Sequence, residues 1–161
     1  MLRAALAIGP KVRTIRLLLD PNSKETSAWL EAAKTATPET RGLMVQGFFA
    51  RIFSKAGYEV VVGSKLDIFA RSRFRSLFIE VKSSLAGGRF GSQAAMTQLD
   101  GYQAACERNR AEIWLGVMGI NRPMGLHHSF RAGMQERSIG LIDVRWVSKN
   151  ESLLPHITSI P

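Results

Sequence analysis

The clearest pattern in the chain is a switch of apolar period. In TPETRGLMVQGFFARIFSKAG, Val45, Phe48, Phe49, Ile52, Phe53 and Ala56 recur at three- and four-residue intervals. That spacing lays them along one broad stripe of a helix. Thr37 supplies an N-cap oxygen, Pro38 fits the first helical position, and Glu39 suits the positive helix end. Lys55 and Gly57 provide a cation and a C-cap at the other end. Beyond Gly57 the period falls to two. Strands are predicted from Tyr58 to about Val62, from Asp67 to Ala70, and from Ser76 to about Ser83. The short linker RSRFR makes the last two an antiparallel hairpin. A glycine-rich loop, AGGRFG, precedes a second helix expected from about Ser92 to Arg108. AEIWLGVMGI then reads as a buried strand, NRPMG as a turn and SIGLIDVRWV as a last strand.

The first forty residues are less decided. VRTIRLLLD fits a strand or part of a helix, and Asp20-Pro21-Asn22 reads as a turn. NSKETSAWLEAAKTA looks helical, with Asn22 as cap and Glu25 at the reciprocal capping-box position. Residues 1–36 are therefore expected as an N-terminal arm or extra helix packed on a core formed by 37–161, within one domain. The order helix, three strands, helix, strand and a further strand predicts an α/β fold, a central mixed β-sheet flanked by helices.

One strand breaks its own pattern. LFIEVKSS places Glu80 and Lys82 two apart in an otherwise apolar run. Alternate strand residues point the same way, so these two share a face while Leu77, Ile79 and Val81 share the other. Ionisable groups on a buried face are costly unless paired or bound to something. Asp67 begins the preceding strand, and the hairpin turn brings it abreast of Glu80. Two carboxylates, an ammonium and the Val81 carbonyl thus meet at one edge of the sheet. Oxygens of that kind suit hard divalent cations, and a nearby ammonium can polarise water or stabilise charge on a phosphate. An ordinary cross-strand ion pair of Lys82 with an acid would look the same in isolation; the placement of Asp67 in a basic chain shifts the balance toward a site.

Charge narrows the partner. Among 161 residues, 22 Lys and Arg oppose 13 Asp and Glu, leaving a formal charge of +9. The pI is near 10.4. Such an excess favours polyanions, most simply nucleic acid. The single cysteine, Cys106, can form no internal disulfide, and no Cys/His set has zinc spacing. The opening MLRAALAIGP is too short in apolar residues for a secretion signal. No apolar run approaches the ~20 residues of a membrane span. The expectation is a soluble, cytoplasmic, globular protein with no membrane partner.

KLDIFA…FIEVKSS resembles the signature of the PD-(D/E)XK nuclease superfamily, with its restriction-endonuclease-like core. The same run is similar to that of archaeal Holliday-junction resolvases. Upstream, RGLMVQGFFARIFSKAGYEVV resembles the family's first helix and its exit into the sheet. Downstream, Gln98 and Tyr102 in QLDGY match the Q-x-x-x-Y of RecB-type nuclease domains, and RSIGLIDV resembles a following strand. The resemblance spans roughly residues 38–147. It implies a nuclease that hydrolyses DNA with Mg2+ or Mn2+ and leaves a 5′-phosphate. A structure-selective endonuclease acting as a homodimer is the favoured subtype. Asp67, Glu80 and the Val81 carbonyl are implied metal ligands, with Lys82, Gln98 and Tyr102 catalytic.

One position departs from the family. Many members carry a helix glutamate in a pattern like G-x-x-x-E, where this chain has Gln46. An amide oxygen can still face a metal but brings no charge, so weaker or single-metal binding is implied. Arg71, Arg73 and Arg75 at the hairpin tip, with Ser84 and Arg89 in SSLAGGRFG, are the expected DNA contacts. That loop is not a P-loop, since it lacks the G-K-[ST] ending. His127 and His128 read as surface or DNA-facing residues, and Cys106 as a packing residue. Two other functions stay open: a non-catalytic nucleic-acid-binding module of the same fold, and an RNA-directed nuclease.

Overall fold

The apolar stripe sets the first layer of the protein. In the computed structural model, which describes residues 12–63, 67–146 and 157–158, the stripe lies on a helix spanning Pro38–Lys55. Its N-cap Thr37 accepts a hydrogen bond from the Thr40 N–H, and its buried face presents Val45, Phe48, Phe49, Ala50 and Phe53. Gly57 follows with φ 90°, a conformation that only glycine adopts freely, and turns the chain into the sheet.

In chain order the elements are β1 (Thr14–Leu19), α1 (Lys24–Thr35), α2 (Pro38–Lys55), β2 (Glu59–Val62), β3 (Ile68–Arg71), β4 (Ser76–Ser84) and β5 (Gly88–Phe90). There follow α3 (Gln93–Arg108), β6 (Glu112–Gly119), β7 (Met124–Leu126), α4 (His128–Glu136), β8 (Gly140–Trp146) and β9 (Ile157–Thr158). Among the described residues seven strands form one mixed sheet in the order β2-β3-β4-β6-β8-β1-β9. β2, β3 and β4 run antiparallel to one another, while β4, β6, β8, β1 and β9 run parallel. This is the expected α/β architecture, a mixed sheet covered by helices on both faces.

Each face has its own core. Leu77, Ile79, Trp114, Met118, Ile142 and Val144 pack with Phe48, Phe49 and Phe53 of α2 and with Leu30 and Ala33 of α1. On the other face Ile113, Leu115, Val117 and Leu141 pack with Met96 and Leu99 of α3 and Phe130 and Met134 of α4. The sheet therefore alternates side by side-chain parity, and each strand residue's parity fixes which helices it meets. Gly140 marks how closely β6 and β8 pack: a Cβ there would lie 2.3 Å from the Trp114 ring.

Several local expectations change. VRTIRLLLD resolves as strand β1, paired in parallel with β8 and with β9, so the N-terminal segment contributes to the sheet as well as packing α1 on it. Ser23, not Asn22, caps α1 and accepts from the Thr26 N–H; Asn22 instead donates its backbone N–H to Asp20 in the preceding turn. The glycine-rich loop contains β5, which pairs with β7 in a separate two-stranded sheet. His127 and His128 lie at the start of α4, His127 as its N-cap residue without a side-chain cap bond. Among the described residues no helix is long and apolar enough to cross a membrane.

Candidate active site

The site lies at the N-terminal end of β3. Pairing of β3 with β4 stops at Ile68 opposite Ile79, whereas β6 follows the other edge of β4 as far as Ser84 opposite Gly119. Beyond Ile79, then, β4 has an edge with no strand on it among the described residues. Asp67 occupies that gap: its Oδ2 accepts the Val81 N–H at 2.8 Å. A strand residue's N–H and C=O leave by the same edge, so the Val81 carbonyl faces the gap too. Gln46, half-buried on α2, donates from Nε2 to the Asp67 backbone oxygen at 3.0 Å and to Oδ1 at 3.4 Å. One helix turn, one strand end and one strand edge thereby converge on Asp67.

Glu80 and Lys82 lie on the opposite face of β4 from Val81, against α3. Glu80 is 4% exposed, and its carboxylate lies 2.6 Å from the Lys82 Nζ. Lys82 also donates to Gln98 Oε1 at 3.1 Å, and Gln98 donates to the Tyr102 hydroxyl at 3.2 Å. Tyr102 in turn lies near enough to Glu80 to favour its ionised form. The four side chains form a connected polar cluster between β4 and α3. Gln98 and Tyr102 can both take part because residues four apart share a helical face.

Burial pushes the Glu80 carboxyl above its ordinary range, and the Asp67 charge pushes it further; Lys82 and Tyr102 act the other way. The balance identifies Glu80 as a buried acid with too little positive charge around it. Two carboxylates near enough to repel, with a backbone carbonyl at hand, make a site whose charge a cation would relieve. Among the described residues no three His, Cys, Asp or Glu side chains gather closely enough to hold a metal by themselves.

Beside Asp67 opens a depression of about 240 Å3 lined by Glu39, Gly42, Leu43, Gln46, Asp67 and Val81. In the sequence Glu39 stands out only as a helix-end charge. Its presence at the depression follows from the seven-residue spacing to Gln46, two turns along one face, which is a signal the sequence did hold.

The expected DNA contacts are dispersed. Arg71 and Arg73 are exposed at the hairpin tip beside Phe74, itself 85% exposed, and the Arg73 guanidinium lies 5.5 Å from the Phe74 ring centroid. Arg75 is engaged within the protein: Nε and Nη2 donate to Glu112 at 2.8 and 2.9 Å, and the guanidinium lies 5.9 Å from the Trp114 ring centroid. Ser84 accepts the Gly87 N–H and shapes the turn into β5. Arg89 is exposed on β5. Cys106 is buried, and desolvation raises its thiol to about 11. That makes it a packing residue at neutral pH.

No protein-family model matches the chain, and no curated protein matches it significantly. Among solved structures the chain is similar to SfsA of Pyrococcus furiosus, determined in complex with Ca2+, at 12% identity and a TM-score of 0.42. The similarity covers 65% of this chain and 64% of that one. The chain thus matches less than two thirds of that protein's length.

Proposed function

We propose that the chain is a divalent-metal-dependent nuclease that hydrolyses DNA phosphodiester bonds, as a structure-selective or sequence-indifferent endonuclease. The observation that carries this reading is the convergence of Asp67, Glu80 and Lys82 at the open edge of β4. The donor set fits Mg2+ or Mn2+, which take hard oxygens and one or two carboxylates and keep several waters. Asp67, Glu80 and the Val81 carbonyl are the residues that would hold the cation; the Gln46 amide oxygen would join them only on turning its Nε2 away from Asp67. The elevated protonation range of Glu80 supports the fit, because a dication beside it would offset both burial and the Asp67 charge.

When bound, the cation supplies Lewis-acid chemistry at the phosphate and acidifies water. The chain's own residues do the rest. Asp67 is oriented by the Val81 N–H and by Gln46, which hold its carboxylate at the gap. Lys82 carries its ammonium between Glu80 and Gln98, where it can orient an attacking water or stabilise charge on the phosphate oxygens. Gln98 and Tyr102 are positioning residues: Gln98 links Lys82 to Tyr102, and Tyr102 works with Lys82 against the upward push of burial on the Glu80 carboxyl. The +9 charge on a chain of this size favours binding through phosphates over base readout.

A specific observation favours a second reading, a nucleic-acid-binding module without catalysis. The Gln46 amide points its donor group at Asp67, where a glutamate would have added metal-binding charge. Incubation of linear, nicked, flapped and four-way DNA, and of matched RNA, with and without Mg2+ or Mn2+, separates the two. Metal-dependent DNA cleavage, lost in Glu80→Ala, is the expected result. Binding without cleavage in any divalent metal would leave the module, and cleavage of RNA alone would change the substrate.

A further inference from the structure

Outside the site, a carboxylate is buried on the same sheet face as Glu80 and Lys82. Asp143, on β8, is 4% exposed, and its Oδ1 has no hydrogen-bond partner among the described residues. The strand registers place it in line with the proposed catalytic lysine: Lys82 pairs with Val117, Val117 with Asp143, and Asp143 with Arg16. Register partners share a face, so Lys82, Val117, Asp143 and Arg16 form one row across four parallel strands. Arg145, two residues beyond Asp143, shares the face as well.

Both arginines use the same atom on the same oxygen. Arg145 Nε donates to Asp143 Oδ2 at 2.8 Å, and Arg16 Nε lies 3.8 Å from it. Each guanidinium therefore turns its Nε inward and leaves its two terminal nitrogens without a partner among the described residues. Their side chains are 36% and 62% exposed. One buried carboxylate orients two cations outward, with a net positive charge. Paired terminal N–H groups of arginine match phosphate oxygens in a bidentate fork.

We propose that Arg16 and Arg145, oriented by Asp143, form a second phosphate site for the DNA strand whose scissile phosphate lies at Asp67 and Glu80. Strands are about 4.8 Å apart, so Asp143 lies roughly 10 Å and the Arg16 backbone roughly 14 Å from Lys82 across the sheet. A separation of that order puts the pair at a neighbouring phosphate of the same strand, within a few nucleotides of the cut. Val117, between them in the row, is buried in the core of that face. This assignment rests on the nuclease reading for the strand's placement, and on the arginine geometry alone for the binding.

The test is binding of unrelated duplexes by the full chain without metal, across a salt series, for wild type, Arg16→Gln, Arg145→Gln, the double variant and Arg145→Lys. Each glutamine variant should make the slope of log K against log salt shallower by about 0.9, for every sequence alike. The double variant should lose little more than either single one, because both arginines serve one phosphate. Lysine at 145 should restore the slope but only part of the affinity, since it lacks the fork. Unchanged slopes in all variants, with wild type still cleaving DNA, would overturn this site and leave the nuclease reading intact. Shallower slopes in a protein that cleaves nothing would support the site and remove the nuclease. Absence of any salt-dependent DNA binding by wild type would overturn both.

Discussion

Replacing Lys82 by alanine separates a catalytic role from a structural one, because the structure attaches a stability cost to it. Glu80 is 4% exposed and 2.6 Å from the lysine ammonium. Breaking a buried ion pair by removing one partner costs ~3–5 kcal/mol. Here the lysine side chain is 29% exposed and Tyr102 still favours the ionised Glu80, so about 2 kcal/mol is the expected loss at neutral pH. For a domain of this size that corresponds to roughly 4–8 °C in melting temperature. The sign with pH follows from Glu80. Its folded-state pKa is already above the ordinary 4.5, and removing the lysine raises it further. Between 4.5 and that raised value the folded state binds more protons than the unfolded, so stability falls as pH rises through the window. The deficit of Lys82→Ala should be full near pH 7 and shrink toward pH 4. A cation that binds only the folded protein adds about 2.7 kcal/mol at a hundredfold excess over its Kd. Ca2+ should therefore restore the variant more than it stabilises wild type. Urea unfolding at pH 4, 5.5 and 7, with and without Ca2+, gives all of these numbers. An equal loss at every pH would mean that only the lysine stem matters. No stabilisation by Ca2+ in either protein would refute the metal assignment of Asp67 and Glu80.

Other outcomes follow from the same contacts. Glu80→Ala and Lys82→Ala should each abolish metal-dependent cleavage, read as single-turnover rates; full activity in either sinks the site. Gln46→Glu should lower the Mg2+ concentration for half-maximal cleavage while lowering stability in metal-free buffer, checked by metal titration and thermal melts. Glu112 is held down at about 2 by Arg75 first and Arg13 next, so it stabilises the protein above pH 4.5 and the effect is lost as pH falls toward 2. Screening at the partly exposed arginines reduces it to about 1 kcal/mol, the amount Glu112→Gln should lose at pH 7 and recover near pH 2. Arg89→Gln should make the salt slope of DNA binding shallower by about one, whereas Arg75→Gln should mainly lower stability.

The hairpin and its acidic and basic residues were legible because they are local. A period of two, a short linker and an E-x-K two apart are enough to bring Asp67 to Glu80. Gln98 and Tyr102 were legible for a similar reason, since four-residue spacing fixes a helical face. Features missed were short or remote. β5 and β7 have three residues each, too few for a period to show. α4 has nine residues, carries Gly133 in its interior and lacks a side-chain cap, so its ends carry weak signals. β1 stayed undecided because TIRLLL is exposed along its first half and apolar along its second, with neither period intact. The engagement of Arg75 by Glu112 spans 37 residues and depends on the β4–β6 register. Asp143 and Arg16 meet only because β1 lies beside β8, a pairing no local pattern contains.

Gln46 decides how much charge the site can hold. Asp67, Glu80 and Lys82 together carry one net negative charge when both acids are ionised. One dication would turn that to plus one, and a phosphodiester would then bring it to zero. A glutamate at 46 would leave the same assembly one charge negative, a balance suited to a second cation. It would also set a carboxylate oxygen where the amide now donates, 3.0 Å from the Asp67 carbonyl and 3.4 Å from its Oδ1. Without metal, those contacts would become repulsions. The amide thus stabilises the metal-free site and makes one cation the neutral stoichiometry once DNA is bound. In the nuclease proposed here, weak single-cation binding and tight phosphate binding go together, because the phosphate supplies the charge that completes the site.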